Sequence, residues 1–142
     1  MPVNPNLIKM MSEMHLFWYR LTGGAIGGSF AGRPILLLTT TGRKTGQPRT
    51  TPLQYLEDGE NMILVASNGG NPRHPAWWLN LESNPGAEVQ VRNDRKPVTA
   101  EKAEGEERGR LWKLLVEMYS GYEDYQKTTR REIPVVVLRP QG

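Results

Sequence analysis

A small α+β barrel is the fold that this sequence predicts, and three observations predict it. Apolar runs such as Ile35-Leu36-Leu37-Leu38, Met62-Ile63-Leu64-Val65-Ala66-Ser67 and Ile133-Pro134-Val135-Val136-Val137-Leu138 have strand length and are bounded by turn residues. The first three strands follow one another too closely for helical crossovers, so they form an antiparallel sheet. Helical signals occur in only three places, giving about six strands and three helices. One domain, residues 1–142, holds these elements around one core.

Asn4-Pro5 opens the first helix, with a capping side chain ahead of a first-turn proline. Leu7, Met10, Met11, Met14, Phe17, Trp18 and Leu21 then recur at helical spacing until Gly23-Gly24, so residues 1–24 form an amphipathic N-terminal segment. Its stripe either packs on the core or, since methionine makes an adaptable contact surface, meets a substrate, a lipid surface or a partner. After a loop of small residues from Gly23 to Gly32 come strand Ile35–Thr39, a cationic turn and a second strand around Thr51–Leu56. Glu57-Asp58-Gly59-Glu60 turns the chain into the third strand, Met62–Ser67, completing an antiparallel meander.

Asn68 to Pro75 is an irregular loop leading to a short helix, Ala76–Leu81, which Asn84-Pro85-Gly86 ends. Its Trp77-Trp78 pair either plugs the open end of the barrel or walls a planar ligand. Ala87–Arg92 alternates as a half-exposed strand, and Asn93-Asp94 turns it into another near Val98–Ala103. Glu104-Gly105-Glu106-Glu107 opens an amphipathic helix with Leu111, Leu114, Leu115 and Met118 inward. Tyr119, Tyr122 and Tyr125 follow at three-residue spacing, along one side if the helix continues, before the closing strand Ile133–Leu138.

The most informative stretch is the turn after the first strand, Thr39-Thr40-Thr41-Gly42-Arg43-Lys44-Thr45-Gly46-Gln47-Pro48-Arg49. Its glycines allow close backbone approach, and its hydroxyls and backbone N–H groups can line an anion-binding concavity. Arg43, Lys44 and Arg49 supply countercharge, arginine bidentately. The alternative is a polar hairpin turn with solvated charges. The charge map favours the site. From Met1 to Leu56 there are six cations and one acid, whereas the remainder has twelve cations and fourteen acids, giving the overall +3. So local an excess suits one small polyanion better than a nucleic-acid track.

Other chemistries are excluded by what the chain lacks. It has no cysteine, hence no disulfide, thiol nucleophile or thiolate metal site. Its two histidines, His15 and His74, lack metal-motif spacing and receive no role. No nucleophile elbow, paired carboxylates, dinucleotide fingerprint or Walker loop is present. No secretory signal pattern opens the chain and no apolar run approaches about 18 residues. A cytoplasmic protein is predicted, with membrane contact confined to the N-terminal helix. An anion cradle, planar aromatics and tyrosine hydroxyls suit a phosphorylated aromatic cofactor that brings the chemistry itself.

The cationic turn, together with Val65-Ala66-Ser67-Asn68-Gly69-Gly70, Trp77-Trp78-Leu79-Asn80 and Met118-Tyr119-Ser120-Gly121-Tyr122-Glu123-Asp124-Tyr125, resembles the deazaflavin-dependent nitroreductase and quinone reductase family, which uses reduced coenzyme F420. The resemblance runs from about Arg33 to Leu138 in the same block order. It implies a split β-barrel over residues 33–138, like that of the flavin-mononucleotide reductases. It implies that Arg43, Lys44, Thr45 and Arg49 meet the coenzyme phosphate, with Thr50, Thr51, Pro52, Leu53 and Gln54 continuing that wall. Val65, Ala66, Ser67 and Asn68, with Ala76, Trp77, Trp78, Leu79 and Asn80, would line the deazaflavin ring and tail. Asn68 stands where the family pattern has lysine, which implies a weaker grip on the anionic oligoglutamate tail.

By the same resemblance, the reaction is hydride transfer to a small electron-poor acceptor: a quinone, a nitroaromatic or an activated, lactone-conjugated alkene. Tyr119, Tyr122, Tyr125 and Trp18 would face the acceptor, Tyr122 and Tyr125 would also touch the coenzyme, and the Tyr122 and Ser67 hydroxyls are the catalytic candidates. No metal and no nucleic acid is implied. A flavin-mononucleotide oxidoreductase on the same barrel and a non-catalytic deazaflavin carrier are the alternatives left open.

Overall fold

The computed structural model describes residues 13–14, 29–30 and 33–141. The N-terminal helix expected over residues 1–24, Trp18 included, lies outside the described residues apart from helical backbone at 13–14. Eight strands form one sheet: β1 (Ser29–Phe30), β2 (Arg33–Thr41), β3 (Pro48–Gln54), β4 (Leu56–Asp58), β5 (Asn61–Val65), β6 (Gly86–Val91), β7 (Asp94–Lys102) and β8 (Val135–Pro140). Beyond residues 13–14, three α-helices lie among the described residues: α1 (Ala76–Ser83), α2 (Gly105–Met118) and α3 (Gly121–Thr128). A 3-10 turn covers Asn68–Gly70.

The apolar runs became strands because both of their faces are covered, as continuous rather than alternating hydrophobicity requires. On β5 and β8, Met62, Leu64, Val136 and Leu138 enter one core with Leu36, Leu38, Val89, Val98 and the α1 residues Trp77, Trp78 and Leu81. Ile63, Val65, Val135 and Val137 enter a second core with Leu111 and Leu115 of α2 and Tyr122 of α3. Helix α1 thus fills the inner side of the sheet, while α2 and α3 cover the outer side. Each fully buried aliphatic side chain contributes roughly 1.5–3 kcal/mol.

All pairings are antiparallel, and the order runs β3, β2, β6, β7, β8, β5, β4, with β1 also against β2. The expected meander of the first three strands is therefore interrupted. β3 pairs only with β2, and β5 lies between β4 and β8 at the far side of the sheet. The cause is closure. The end strands β3 and β4 are separated in the chain by Tyr55 alone, so the sheet must curl until its two ends meet there. Tyr55 is buried and its N–H donates to the Pro34 carbonyl at 3.2 Å. This is the curled half-barrel expected of a split barrel.

Two further details differ from the sequence reading. The β6–β7 turn falls on Arg92-Asn93 rather than Asn93-Asp94, because Val91 pairs with Asp94 and Arg92 takes the positive φ of 57°. The tyrosines do not ride one continuous helix either. Tyr119 has left the helical region, with φ −149°, between α2 and α3. Its ring lies over Gly121, where a Cβ would come within 2.3 Å of it. Glycine leaves room for the ring in this position.

Candidate functional site

The cationic turn is built by β2 and β3, whose register runs from Ile35 opposite Gln54 to Thr41 opposite Pro48. The loop between them is held by its own backbone: Gly42 N–H donates to the Gln47 carbonyl and Gly46 N–H to the Gly42 carbonyl, both at 2.8 Å. The Gln47 N–H donates to Thr45 Oγ1 at 3.2 Å. A Cβ on Gly42 would sit 3.0 Å from the Gln47 carbonyl oxygen, so this close crossing suits glycine.

Asn80 of α1 anchors the turn from inside. Its Oδ1 accepts from both the N–H and Nη1 of Arg43 at 3.1 Å, and its Nδ2 donates to Thr40 Oγ1 at 3.1 Å. Asn80 is 3% exposed, so these bonds satisfy a buried amide that would otherwise be left unpaired. Thr39 and Thr50 hydroxyls meet across the strands at 2.8 Å. The backbone N–H groups of Gly42, Arg43, Gly46 and Gln47 are thus engaged within the protein. Those four N–H groups could therefore line an anion site only by giving up a bond within the protein. Arg43, Lys44 and Arg49 are exposed and form no ion pair among the described residues.

From Arg49 the wall continues along β3. Thr50, Thr51, Pro52, Leu53 and Gln54 are all half-buried, so neither face of this end strand is fully covered. At its far end Gln54 Nε2 donates to the Tyr122 hydroxyl. Tyr122 is buried at 5% exposure, and Tyr119 packs edge-on against it at 5.0 Å between ring centroids. The Tyr119 and Tyr125 hydroxyls lie 3.2 Å apart. The three phenols do converge, although the helix break rather than helical periodicity brings them together.

The loop after β5 reaches the same tyrosines. Gly70 adopts φ +79°, and a Cβ there would lie 2.5 Å from Thr128 Oγ1 and 3.3 Å from Tyr125 Cδ1. The 3-10 turn at Asn68 therefore packs directly on α3. Within this loop Ala66 and Ser67 are buried, Asn68 is half-buried, and Asn68 Nδ2 donates to the Arg73 carbonyl at 3.1 Å. Val65 points into the outer core with Tyr122. On α1, Ala76 is exposed and Leu79 half-buried, whereas Trp77 and Trp78 are each 6% exposed within the inner core.

Arg131 has no counterpart in the sequence reading. Its guanidinium donates to the carbonyls of Ala66, Ser67 and Asn71 at 3.2, 2.8 and 3.1 Å. His74 lies against it too, and burial followed by the Arg131 charge pushes the imidazole pKa down. Burial likewise lowers the guanidinium pKa. No sequence signal separates Arg131 from its neighbour Arg130, because its partners are backbone carbonyls about 60 residues away. Among the described residues no group of three or more His, Asp or Glu side chains could hold a metal.

A curled antiparallel half-barrel, with a basic hairpin at one end of β3 and converging phenols at the other, has the split-barrel fold. Comparison with known proteins narrows this. The family described as F420H(2)-dependent quinone reductase matches residues 11–140. An F420H(2)-dependent quinone reductase of Mycobacterium tuberculosis strain H37Rv is 46% identical over 130 residues, covering 89% of this chain and 87% of its own length. The solved structure of an F420-H2 dependent reductase, FDR-A, superposes with a TM-score of 0.70 at 46% identity, covering 75% of this chain and 95% of that one. A domain-swapped dimer superposes at 0.72 with 41% identity, covering 89% of this chain and 96% of that one. This chain belongs to the F420H(2)-dependent quinone reductase family.

Proposed function

We propose that this protein transfers a hydride from reduced coenzyme F420 to a quinone, with the coenzyme phosphate on Lys44 and Arg49. The observation that carries this reading is the basic turn, which is exposed, has no carboxylate partner among the described residues and is fixed from within by buried Asn80. A phosphate requires such a donor set, and Lys44 and Arg49 are its side-chain donors, while Arg43 divides its bonds with Asn80. Thr45 and the half-buried side of β3, from Thr50 to Gln54, extend the same surface. Val65 to Asn68 and Ala76 to Asn80 then border the ring and tail.

The bound coenzyme supplies the hydride. The protein orients an acceptor against it and keeps water away, which gains rate by fixing the reacting geometry. Reduction of a quinone leaves negative charge on an acceptor oxygen. The Tyr122 hydroxyl, already accepting from Gln54, is polarised to donate toward that charge. Tyr119 and Tyr125 shape the acceptor side, and the Ser67 hydroxyl is a second candidate donor. Nitroaromatics and lactone-conjugated alkenes develop similar charge and fall within the same reading.

Residues 1–24, including Trp18, are the segment through which we have the enzyme meet a membrane-borne quinone. Among the described residues no helix is long and apolar enough to cross a membrane. Removing residues 1–24 then slows turnover of lipophilic quinones more than of water-soluble ones; an equal loss on both assigns the segment to the core.

The test is reoxidation of added reduced F420 in the presence of a panel of quinones, nitroaromatics and lactone-conjugated alkenes. Saturable, protein-dependent oxidation by quinones is the expected result. Binding of F420 without oxidation by any acceptor makes the protein a carrier, and activity only with reduced flavin mononucleotide replaces the coenzyme assignment.

A further inference from the structure

Arg131 spreads its guanidinium across the loop that follows β5. Nε donates to the Asn71 carbonyl at 3.1 Å, Nη2 to the Ser67 carbonyl at 2.8 Å, and Nη1 to the Ala66 carbonyl at 3.2 Å. Nη1 also meets His74 Nδ1 at 3.0 Å. Every acceptor is uncharged, and Arg131 has no ion pair among the described residues. Withdrawing a cation from water without countercharge is unfavourable, and four directed acceptors offset it here. Gln126 fixes the arginine's own backbone, donating to the Arg131 carbonyl at 2.8 Å and accepting from the Ile133 N–H at 2.9 Å.

Arginine has only donors, so His74 must accept through an unprotonated Nδ1 and carry its proton on Nε2. The clamp is complete only with neutral histidine. Protonation would remove an acceptor and set a second cation 3.0 Å from the first. Burial and the charges of Arg131 and Lys102 oppose that protonation, while Glu82 of α1 favours it.

We infer that Arg131 is a positioning residue for the coenzyme, holding Ala66 and Ser67 in the conformation that meets the ring, and that this hold is complete only while His74 is neutral. The inference rests on the reading of Val65 to Asn68 as coenzyme wall. Binding the coenzyme to the clamped loop and protonating His74 then oppose each other, and by linkage each weakens the other equally.

The experiment is calorimetric titration of F420 into the full chain at pH 7.5 and pH 5.0, for the parent, Arg131→Lys and His74→Gln. Nitrogen NMR of the imidazoles, with His15 removed for assignment, accompanies it. Glutamine offers Arg131 an acceptor that does not titrate. Over this pH range the parent should lose about fivefold more affinity than His74→Gln. Arg131→Lys keeps the charge but cannot span the carbonyls, and should weaken binding about tenfold at pH 7.5. The NMR should show Nε2-protonated His74 whose titration moves to lower pH when F420 binds. Identical pH dependence in the parent and His74→Gln overturns the inference, as does full affinity in Arg131→Lys. If Arg131→Lys binds normally while Lys44→Ala does not, only the inference fails; if both bind normally, the site assignment fails with it. Should Arg131→Lys not fold, the His74→Gln comparison decides.

Discussion

Lys44, Arg49, Asn80 and Tyr122 each divide holding from chemistry in a way that a single substitution can read. Lys44 and Arg49 are exposed and unpaired among the described residues, so their removal leaves no orphaned partner in the protein. A charge-assisted contact is worth roughly 1.5–3 kcal/mol, so Lys44→Ala or Arg49→Ala should weaken F420 binding about tenfold or more with little change in unfolding midpoint. Asn80→Leu is the contrasting case, since Asn80 holds the turn through Arg43 and Thr40 from a buried position. It should lower stability by about 1–3 kcal/mol in urea titration and also weaken F420 binding. Tyr122→Phe keeps the packed ring and removes the hydroxyl that Gln54 addresses. Quinone turnover should fall on the order of tenfold with F420 affinity little changed; parent-rate turnover on every acceptor would leave Tyr122 a wall only.

These residues were unequally legible in the sequence. Three cations in an acid-free turn announce themselves, because exposed charge needs no distant partner to be recognised. Asn80 could be placed in the right block, but its bonds to Thr40 and Arg43 span about 40 positions and follow from packing of α1. Arg131 was silent, since a guanidinium aimed at carbonyls leaves no mark on those carbonyls' residue types.

At the scale of elements, two glycines set how closely α3 and Tyr119 approach their neighbours. Gly70→Ala would strain a φ of +79° and push a methyl against Thr128 and Tyr125. It should destabilise by about 1–3 kcal/mol, and Thr128→Ala should restore only part of this because the backbone strain remains. Gly121→Ala instead meets the Tyr119 ring, a side chain that can swing away. Near-ultraviolet circular dichroism and the KM for quinone should change in Gly121→Ala more than the unfolding midpoint does. Strands and helices were readable from apolar runs and periodicity. The break at Tyr119 was signalled only by the turn dipeptide Ser120-Gly121, which the three-residue spacing of the tyrosines masked.

For the whole molecule, closure of the sheet through Tyr55 sets the basic hairpin and the phenols at opposite ends of one strand, β3. Spacing predicted antiparallel pairing but not which strands pair, since β3 and β5 sit close in sequence and apart in the sheet. The loop clamp adds a pH term to global stability. His74 has a folded-state pKa below the ordinary 6.5, so on acidification the unfolded chain takes up the proton first. The contribution is present above about pH 6.5 and is lost as the pH falls below it. The urea midpoint should decline between pH 7 and pH 5, less steeply in His74→Gln.

The decisive question is where the coenzyme phosphate sits. Equilibrium titration of F420 into the parent and into the Lys44→Ala/Arg49→Ala double variant, at low and at high salt, measures that. The expected result is a loss of roughly a hundredfold or more at low salt, shrinking as salt screens the parent's contacts. Equal affinity of the parent and the folded double variant at both salt concentrations would contradict it, and the basic turn would not be the phosphate site.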